Sequence, residues 1–420
     1  MSAAREFKRA PVRLTMIDRR NHHLFQPLLY QVATAALNPS DIASPIRRIL
    51  RRQRNASVIL GEASSIDTRQ KIVQLLDGEV AYDYLIVATG ATHSYFGHDE
   101  WLGPAPGLKT LEDAVEIRRR VLVAYEAAER EVDAAEVVNW MTFVIIGGGP
   151  TGVEMAGALA EISRRVLERD FRKIDPSKAR IILIEAGPKL LPAMSPESSA
   201  SAARQLKRLG VEIITDSPVT AIDDRGVVHG GKRLESRTVI WAAGVAASPL
   251  GKALGATANA KLDRDGRVIV NQDLSVPGAD GVFVIGDLAS ISSDGKPVPG
   301  LSPAAMQEGR HAAKNIMRSM RGEPTIPFHY RDKGTLATIG KAAAVADIAG
   351  LHLGGLIAWL AWLFVHILFL IGFRNRFIVM VEWAWTYLSN DRGARLITGD
   401  VEPLLERGEK IENRERMLSK

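Results

Sequence analysis

Three glycines in one short stretch have the spacing that binds a nucleotide pyrophosphate. They occur as Gly147-x-Gly149-x-x-Gly152, directly after the apolar residues 143–146. In this pattern the first glycine permits a tight strand-to-helix turn, the second lets backbone N–H groups approach the pyrophosphate, and the third lets the helix lie close to the sheet. The helix N-terminus adds a positive dipole end, so this stretch predicts dinucleotide binding.

A carboxylate stands at the end of the next apolar segment. Residues 181–184 predict a strand, and Glu185 follows directly. A carboxylate at this position can accept hydrogen bonds from both ribose hydroxyls and repels a 2′-phosphate, which favours NAD(H) over NADP(H). The spacing from the glycines exceeds the usual ~20 residues, because the helix is long and residues 169–178 form an inserted loop. The alternative is a glycine-rich turn that binds nothing, but the ordered series of strand, glycines, helix, strand and acid favours binding.

Other candidate residues lie at predicted strand ends. Asp18 ends the strand 12–17, which resembles the second half of a β-α-β unit without its first strand and glycine loop, although an isolated Asp there is usually a turn starter. Residues 82–91 predict a buried strand that ends in small residues, which allow a bulky ligand to approach. Asp287 ends a further strand. His22 and His23 are adjacent, but no second cluster at ligand spacing accompanies them, so we predict polar loop residues and no metal site.

Composition limits the classes of protein. A chain of 420 residues with 46% hydrophobic content can bury two or three domain cores. The net charge of +6 is modest and the arginines are scattered, which argues against nucleic-acid binding and favours an acidic membrane surface as partner. The chain has no cysteine, which excludes a disulfide framework, a thiolate metal site and a dithiol redox centre. No signal peptide is recognised, so we expect a reducing, cytosolic setting for the globular part.

The C-terminal region is unusually apolar. Residues 351–373 carry no formal charge over 23 positions, and residues 377–388 are apolar and rich in Trp and Tyr. As one helix the first stretch would reach ~34 Å, which is enough to span a bilayer. However, an interfacial helix is favoured by the residues that share one helical face: His352, Trp359, Trp362 and His366. One or two transmembrane helices within 351–388, and dimerisation through the same region, remain alternatives.

These motifs together resemble the type II NADH:quinone oxidoreductases, which belong to the two-dinucleotide-domain flavoproteins. The resemblance rests on residues 25–30, residues 88–91, residues 147–154, Gly286-Asp287 and residues 304–307. The lack of cysteine argues against sulfide:quinone oxidoreductases and pyridine nucleotide-disulfide reductases. The implied fold is α/β, with two Rossmann-like dinucleotide-binding domains, the second inserted in the first, and a C-terminal membrane-associating helical region. The expected domains are an FAD-binding domain at 1–107 and 251–330, an NADH-binding domain at 108–250, and a quinone and membrane-anchoring region at 331–420.

The resemblance also implies roles for individual residues. FAD would be held by Asp18, Thr89, Gly90, Asp287 and Ala304, the last near the start of a helix that Ser302 is expected to cap. NADH would lie on Gly147, Gly149, Gly152 and Glu185, with Gly244 nearby. Glu154 resembles the family residue at the nicotinamide–flavin contact, the alternative being a solvated first-turn acid favoured by the helix dipole. Gln307 resembles the quinone-side glutamine, and Lys333 is expected to reach the quinone pocket. The family commonly has a second glutamine where this chain has Pro303.

The implied activity is hydride transfer from NADH to FAD, followed by two-electron reduction of a quinone without proton pumping. The expected partners are a quinone and a lipid surface at the cytoplasmic face of the membrane, with a homodimer possible and no nucleic acid. One alternative is a diaphorase-like NADH flavoprotein with a soluble acceptor. Since no glycine fingerprint precedes Asp18, we expect the given start to be late or the chain to be truncated. If that start is real, the alternative is a flavin-free, NAD-binding membrane protein.

Overall fold

The computed structural model describes residues 1–371, 373–389 and 392–399. The remaining parts of the predicted C-terminal region, residues 372, 390–391 and 400–420, lie outside the described residues. The chain forms two compact units. The first unit comprises residues 1–23, 44–94 and 245–333, and the second comprises residues 24–43, 95–244 and the chain from 334 onward. The short strands His22–Leu24 and Ala43–Pro45 lie where the chain passes from one unit to the other.

The first unit is built from short strands around an apolar core. Parallel pairs are formed by Leu14–Asp18 with Ala56–Leu60 and by Leu85–Val87 with Val282–Val284. Its core includes Phe7, Ile66, Val87 and Phe283. The other strands are Ala63–Asp67, Ile72–Leu75, Gly78–Ala81, Ala91–His93, Val245–Ala247, Val268–Ile269, Ala289–Ser290, Ser292–Ser293 and Lys296–Pro297. The α-helices are Ser2–Glu6, Ile46–Leu50, Leu250–Ala258 and Ser302–Ser319.

The second unit is organised by a four-stranded parallel sheet. Its order is Val211–Ile214, Arg180–Ile184, Thr142–Ile146, Thr238–Trp241. The two central strands are buried along almost their whole length, as the unbroken apolar runs predict for a sheet covered on both faces. A three-stranded antiparallel sheet is formed by Val219–Asp223, Gly226–His229 and Lys232–Glu235. The α-helices before residue 334 are Leu29–Ala33, Pro39–Ile42, Leu111–Arg130, Ala134–Trp140, Pro150–Glu161 and Pro196–Arg208.

The helix Leu111–Arg130 begins with a capping box. Thr110 is its N-cap, the Thr110 hydroxyl accepts the Asp113 N–H at 3.1 Å, and the Asp113 carboxylate accepts the Thr110 N–H at 2.9 Å. These reciprocal bonds satisfy two N–H groups that an open helix end would leave without partners. This stabilises the start of the helix.

The C-terminal part of the second unit starts with a sheet. An antiparallel sheet is formed by Thr335–Gly340, Ala343–Ile348 and Leu351–Gly354, and the helices Gly355–Phe369 and Phe373–Ser389 follow. The prediction of one helix over 351–373 is therefore wrong. Residues 351–354 pair with the preceding strand. Gly355, the first residue of the following helix, has a φ of +64°, so the chain turns at this residue from the strand into the helix.

The helix that remains is too short for the spanning alternative. Gly355–Phe369 has 15 residues, which is ~22 Å and less than the ~30 Å of a hydrocarbon core. Among the described residues, no helix combines the length and the apolar character needed to cross a membrane.

The prediction that His352, Trp359, Trp362 and His366 form one interfacial helix face is also wrong. His352 lies in a strand, and Trp362 is only 1% exposed because it packs inward against Trp383 and His366. The exposed side is a different one, which we call the apolar face. On the first helix it consists of Leu356, Ile357, Leu360, Phe364, Leu368 and Phe369, and on the second of Phe377, Met380, Val381 and Trp385.

Candidate functional site

The glycine turn of the second unit combines two crowded positions with one open position. Gly147 has a φ of +108°, and a Cβ there would lie 2.7 Å from the backbone of Ala242 and Ala243. A Cβ on Gly152 would lie 1.8 Å from the carbonyl oxygen of Gly147. By contrast, a Cβ on Gly149 would meet nothing within 4 Å. Gly149 is the N-cap of the helix Pro150–Glu161, so the helix N-terminus faces open space. This geometry fits a nucleotide pyrophosphate.

Glu185 is held by the glycine turn and by its own loop. Its carboxylate accepts the Gly148 N–H at 2.5 Å through Oε2 and the Gly187 N–H at 2.7 Å through Oε1. Each oxygen retains a further lone pair, which can accept a ribose hydroxyl. The arrangement fits the predicted ribose contact of NADH.

The chain after the strand Thr238–Trp241 lies beside the glycine turn. The Ala242 N–H donates to the Ile146 carbonyl at 2.8 Å, directly before Gly147. Gly244 follows with a φ of +74°, a conformation that side-chain-bearing residues rarely adopt. The structure therefore brings Gly244 to the same edge of the sheet as the glycine turn, as the resemblance implied.

Glu154 lies on the second turn of the same helix and has almost no polar neighbour. The Thr338 N–H donates to its Oε1 at 3.5 Å, which is a long contact. Burial raises the pKa of Glu154 to about 8, and this single backbone N–H offsets the shift only in part. The side chain is therefore mainly protonated at neutral pH, unlike the solvated first-turn carboxylate that sequence analysis left as the alternative.

The predicted FAD residues belong to the first unit. Asp18 ends the strand Leu14–Asp18, and its Oδ1 accepts the Arg20 N–H at 2.8 Å. After the buried Val87, Thr89 is exposed and Gly90 has a φ of +67°, with nothing within 4 Å of its Cβ position. Small, open residues at the end of a strand fit the close approach of a flat ring system.

The strand Val282–Val284 leads into a second turn of the first unit. Gly286 has a φ of +70°, and its N–H donates to Glu308 Oε2 at 2.5 Å, just before Asp287. Glu308 is buried, and burial raises its pKa to about 7. Sequence analysis missed Glu308, although it adjoins Gln307 on the helix that carries Ala304. That helix begins at Ser302 with Leu301 as its N-cap, so the prediction of Ser302 as N-cap is wrong by one position.

Gln307 uses its amide on the backbone. Its Nε2 donates to the carbonyls of Pro303, at 3.1 Å, and Arg331, at 3.0 Å, and its Oε1 accepts the Arg331 N–H at 3.0 Å. Gln307 therefore fastens the chain two residues before Lys333, which is exposed. The quinone-side role of Gln307 and Lys333 stays a prediction.

Sequence analysis also missed a contact that positions the nucleotide helix. A Cβ on Gly157 would lie 1.7 Å from the carbonyl oxygen of Ile339, so the helix Pro150–Glu161 and the strand Thr335–Gly340 touch backbone to backbone. Gly157 was detectable as an interior helical glycine, which usually has a packing reason.

No metal site accompanies these residues. Within residues 1–371, 373–389 and 392–399, no group of three or more His, Cys, Asp or Glu side chains is placed to hold a metal ion.

Comparison with known proteins agrees with this geometry. Residues 1–309 match the pyridine nucleotide-disulphide oxidoreductase family, and residues 333–390 match the NDH2 C-terminal domain. Two relatives from Mycobacterium tuberculosis are the type II NADH:quinone oxidoreductases NdhA and Ndh. NdhA is 45% identical over 96% of this chain and 87% of its own length, and Ndh is 44% identical over 95% and 88%.

Solved structures share the fold. An NDH2 from Plasmodium falciparum in complex with NADH has a TM-score of 0.80 at 20% identity, covering 92% of this chain and 94% of that chain. A sulfide:quinone oxidoreductase from Aquifex aeolicus has a TM-score of 0.70 at 19% identity, covering 92% of each chain. The predicted α/β fold with two dinucleotide-binding domains is confirmed. On the length and identity of these matches, the chain belongs to the type II NADH:quinone oxidoreductases.

Proposed function

We propose that this NADH:quinone oxidoreductase binds NADH on the second unit and FAD on the first, and that it works at a lipid surface. The enzyme oxidises NADH and reduces a quinone, with FAD as its cofactor, as its family does. FAD, when bound, accepts the hydride and passes two electrons to the quinone. The observation that carries the NADH assignment is the open helix N-terminus at Gly149 beside Glu185.

The glycine turn and Glu185 orient NADH. Backbone N–H groups at the helix N-terminus hold the pyrophosphate, and Glu185 accepts the adenosine ribose hydroxyls. Gly244, at the end of the neighbouring strand, leaves space on the nicotinamide side. Glu154, whose raised pKa favours the neutral carboxylic acid, is the residue that we place at the nicotinamide–flavin contact.

In the first unit, the open segment at Thr89 and Gly90 receives the flavin ring. Asp18 and Asp287 accept hydrogen bonds from FAD hydroxyls, and Ala304 places the first turn of its helix at the ring. Gln307 fixes the position of Arg331 and so of Lys333, on the side from which the quinone approaches. The division into FAD-binding residues 1–107 and 251–330, NADH-binding residues 108–250 and a quinone and membrane region 331–420 stays a prediction; the two compact units differ from it in that residues 24–43, 95–107 and the chain from 334 onward belong to the second unit.

The apolar face supports attachment to a membrane surface. Ile357 and Phe364 are both 67% exposed, and they lie on one side of a helix whose other side buries Ala358 and Trp362. An amphipathic helix with large exposed apolar side chains lies in the plane of the interface with that side in the acyl region. We assign the enzyme to the cytoplasmic face of the membrane, where NADH is made available. The alternative is a homodimer in which the second subunit covers the apolar face.

One experiment separates this function from the diaphorase-like alternative. Purified protein supplied with FAD is mixed with NADH and either a short-chain quinone or ferricyanide, a soluble acceptor. We expect NADH-dependent quinone reduction, and we expect lipid vesicles to increase the rate with a lipophilic quinone. Reduction of ferricyanide with no reduction of any quinone would support the alternative. Absence of flavin absorption after reconstitution would overturn the FAD assignment.

A further inference from the structure

The second unit carries an open cleft where the helix Pro196–Arg208 meets the C-terminal elements. The volume of the cleft is about 350 Å³, many times the ~10–15 Å³ that a single water needs. None of the residues that line it is acidic, and two of them are arginines, which stay charged at any physiological pH. We call it the arginine cleft, and its lining residues are Ser201, Arg204, Gln205, Arg208, Leu209, Ala342, Ala343 and Gly355.

One face of that helix supplies half of the lining residues. They stand at positions i, i+3, i+4 and i+7, which form one stripe along a helix: Ser201, Arg204, Gln205 and Arg208. Gln205 fastens this stripe to the C-terminal sheet, because its Nε2 donates to the Ala344 carbonyl at 3.2 Å and to Ser201 Oγ at 3.1 Å. The two arginines therefore extend from an element that is fixed at the edge of the cleft.

Neither arginine has a protein partner for its charge. Arg204 and Arg208 are exposed, and their side chains make no hydrogen bond or ion pair with any residue that the structure describes. Other arginines of the same unit are paired, as Arg233 is with Asp223 at 2.7 Å. A guanidinium is a planar fork of donors that matches the oxygens of a phosphate. The cleft therefore offers the charge and the donors that a phosphate group requires.

The cleft also contains a hydrogen-bond acceptor. Gln205 Oε1 is buried and has no donor among the described residues. Since Gln205 Nε2 donates to a carbonyl, the orientation of the amide is fixed and the oxygen cannot exchange places with the nitrogen. A buried acceptor is normally satisfied by water or by a ligand hydroxyl. A ligand with a phosphate and a neighbouring hydroxyl, as in a phosphatidylglycerol headgroup, matches both features.

The arginine cleft lies directly beside the apolar face. Gly355 lines the cleft and is the first residue of the helix Gly355–Phe369. Leu356 and Ile357 follow, and they are 55% and 67% exposed. A group held in the cleft would thus lie within one helical turn of large exposed apolar side chains. A free phosphate gains nothing from such neighbours, whereas the acyl chains of a lipid do.

We propose that the arginine cleft binds the headgroup of an anionic phospholipid. Arg204 and Arg208 hold its phosphate, Gln205 Oε1 accepts from a headgroup hydroxyl, and the acyl chains lie along the apolar face. The inference rests on the proposed function at a lipid surface, and it adds the class of lipid and the residues that recognise it. The apolar face supplies insertion into the membrane, and the cleft supplies the preference for anionic lipid.

The test variant is Arg204→Gln with Arg208→Gln, which removes both charges and keeps good helix formers at both positions. The matched control is Arg47→Gln with Arg48→Gln, which removes two exposed arginines from the helix Ile46–Leu50 of the first unit. All proteins are full-length and FAD-loaded. We expect the same thermal midpoint and the same rate of ferricyanide reduction by NADH in all three, because neither pair touches a cofactor-binding residue.

Co-sedimentation is measured with vesicles of phosphatidylcholine alone and with vesicles in which phosphatidylglycerol replaces one third of it. We expect the unmodified protein to bind the anionic vesicles more tightly. The test variant should lose roughly tenfold or more of that affinity, and the control less than about threefold. On phosphatidylcholine alone, the test variant and the unmodified protein should bind equally, because the apolar face is intact in both.

A soluble lipid separates the cleft from the general charge of the surface. Dihexanoyl phosphatidylglycerol, below the concentration at which it forms micelles, is titrated into the protein by calorimetry, and inorganic phosphate is titrated in parallel. We expect one lipid to bind per chain, with binding lost in the test variant and kept in the control. Phosphate should bind far more weakly. Phosphate that binds as tightly as the lipid would show a site for free anions and overturn the proposal.

The remaining outcomes separate the headgroup site from the proposed function. Equal losses in the test variant and the control, or lipid titrations that the test variant leaves unchanged, would overturn the headgroup site. If the unmodified protein binds neither kind of vesicle, the proposed function at a lipid surface fails. If it binds both kinds equally well, the apolar face acts alone and only the headgroup site fails.

Discussion

Glu185 is the residue on which we expect nucleotide choice to depend. Its carboxylate is oriented by the Gly148 and Gly187 N–H groups, and a 2′-phosphate would be repelled there. We predict that Glu185→Ala raises kcat/KM for NADPH relative to NADH by roughly tenfold, equivalent to about 1.4 kcal/mol. Steady-state kinetics with both nucleotides measure the ratio. Glu212→Ala, which removes an exposed carboxylate paired with Arg180, is the control. An unchanged ratio in Glu185→Ala would move the ribose site elsewhere.

Gln307 is expected to act on the quinone side through the chain that it holds. Since its amide makes three contacts to Pro303 and Arg331, Gln307→Ala releases the segment that carries Lys333. We predict that the substitution slows flavin reoxidation by quinone by roughly tenfold and leaves flavin reduction by NADH nearly unchanged. Rapid-mixing kinetics separate the two steps.

Arg310→Ala, on the exposed side of the same helix, is the matched variant for Gln307. It removes a long side chain without touching the Arg331 backbone. If Gln307→Ala lowers both half-reactions equally, the amide supports the fold of the first unit as a whole and has no specific role at the quinone.

Residue-level prediction worked best where backbone sterics leave one solution. Gly147 and Gly152 are crowded by backbone atoms, and only glycine fits such positions, so the spacing of the glycines was a reliable signal. Glu308 and the contacts of Gln307 were not predictable, because they depend on which distant backbone atoms the folded chain brings within 3 Å.

At the scale of elements, the contact at Gly157 predicts that a Gly→Ala substitution lowers the stability of the protein. Gly→Ala inside a helix usually stabilises by about 1 kcal/mol. Here the new Cβ would meet Ile339 O at 1.7 Å, so the helix and strand must separate. We predict that Gly157→Ala lowers the free energy of unfolding by about 1–3 kcal/mol, measured by urea denaturation.

Gly149→Ala is the counterpart on the same helix. Its Cβ would meet nothing within 4 Å and its φ of −70° suits alanine, so stability should be kept. NADH binding should weaken, because the Cβ occupies the approach to the pyrophosphate. Equal stability of the two variants would contradict the close contact at Gly157.

The apolar face makes a prediction about lipid binding. Ile357→Glu with Phe364→Glu places two charges where apolar side chains would enter the acyl region. We predict loss of co-sedimentation with phospholipid vesicles, with ferricyanide reduction by NADH retained. Val138→Glu, at an exposed apolar residue on the helix Ala134–Trp140, is the control. If the double variant still binds vesicles but changes from a dimer to a monomer, the apolar face is a dimer interface and not a membrane-binding surface.

The C-terminal elements show where pattern reading fails. Residues 351–354 and the helix Gly355–Phe369 are both apolar, and an apolar run does not by itself distinguish a strand from a helix. The adjacent Gly354 and Gly355 lie at the boundary between the strand and the helix. The sequence alone does not show this boundary, because it depends on the pairing of residues 351–354 with the strand Ala343–Ile348. The predicted interfacial face was wrong because one of its residues, Trp362, packs against Trp383 in the interior.

At the scale of the whole molecule, two buried carboxyl groups link stability to pH. Burial raises the pKa of Glu154 to about 8 and that of Glu308 to about 7, from an ordinary value of 4.5. A raised pKa in the folded state favours the protonated form. Its contribution to stability is complete below pH 4.5 and is lost as pH rises through 7 and 8.

We therefore predict that Glu154→Gln with Glu308→Gln reduces the fall in thermal midpoint between pH 5 and pH 8.5. Glutamine stays neutral over this range, so only the unmodified carboxyl groups pay the cost of ionising in a buried site. Comparing the two proteins in the same buffers cancels the contribution of other groups, such as Asp347, whose pKa is lowered to about 2. Parallel pH profiles for the two proteins would contradict the raised values.

Prediction of the whole fold succeeded because local and long-range signals agree in this chain. The glycine turn, the apolar strands around it and the acid at residue 185 all indicate one parallel sheet, and that sheet is present. A cavity lined by Glu154 and Glu161 was beyond sequence reasoning, although the two glutamates are seven residues apart. Its other wall comes from residues almost two hundred positions away, such as Thr338 and Trp362.

The backbone contact between Gly157 and Ile339 has a consequence for any attempt to make a detachable, freely soluble version of this enzyme. The helix Gly355–Phe369, which carries the proposed membrane-facing residues, continues directly from the sheet that supports the nucleotide helix. Cutting the chain after residue 350 would keep the strand Thr335–Gly340 but remove the strand Leu351–Gly354 from its sheet, and so would weaken the support of that helix. We expect the shortened enzyme to bind NADH less tightly, even when the electron acceptor is water-soluble.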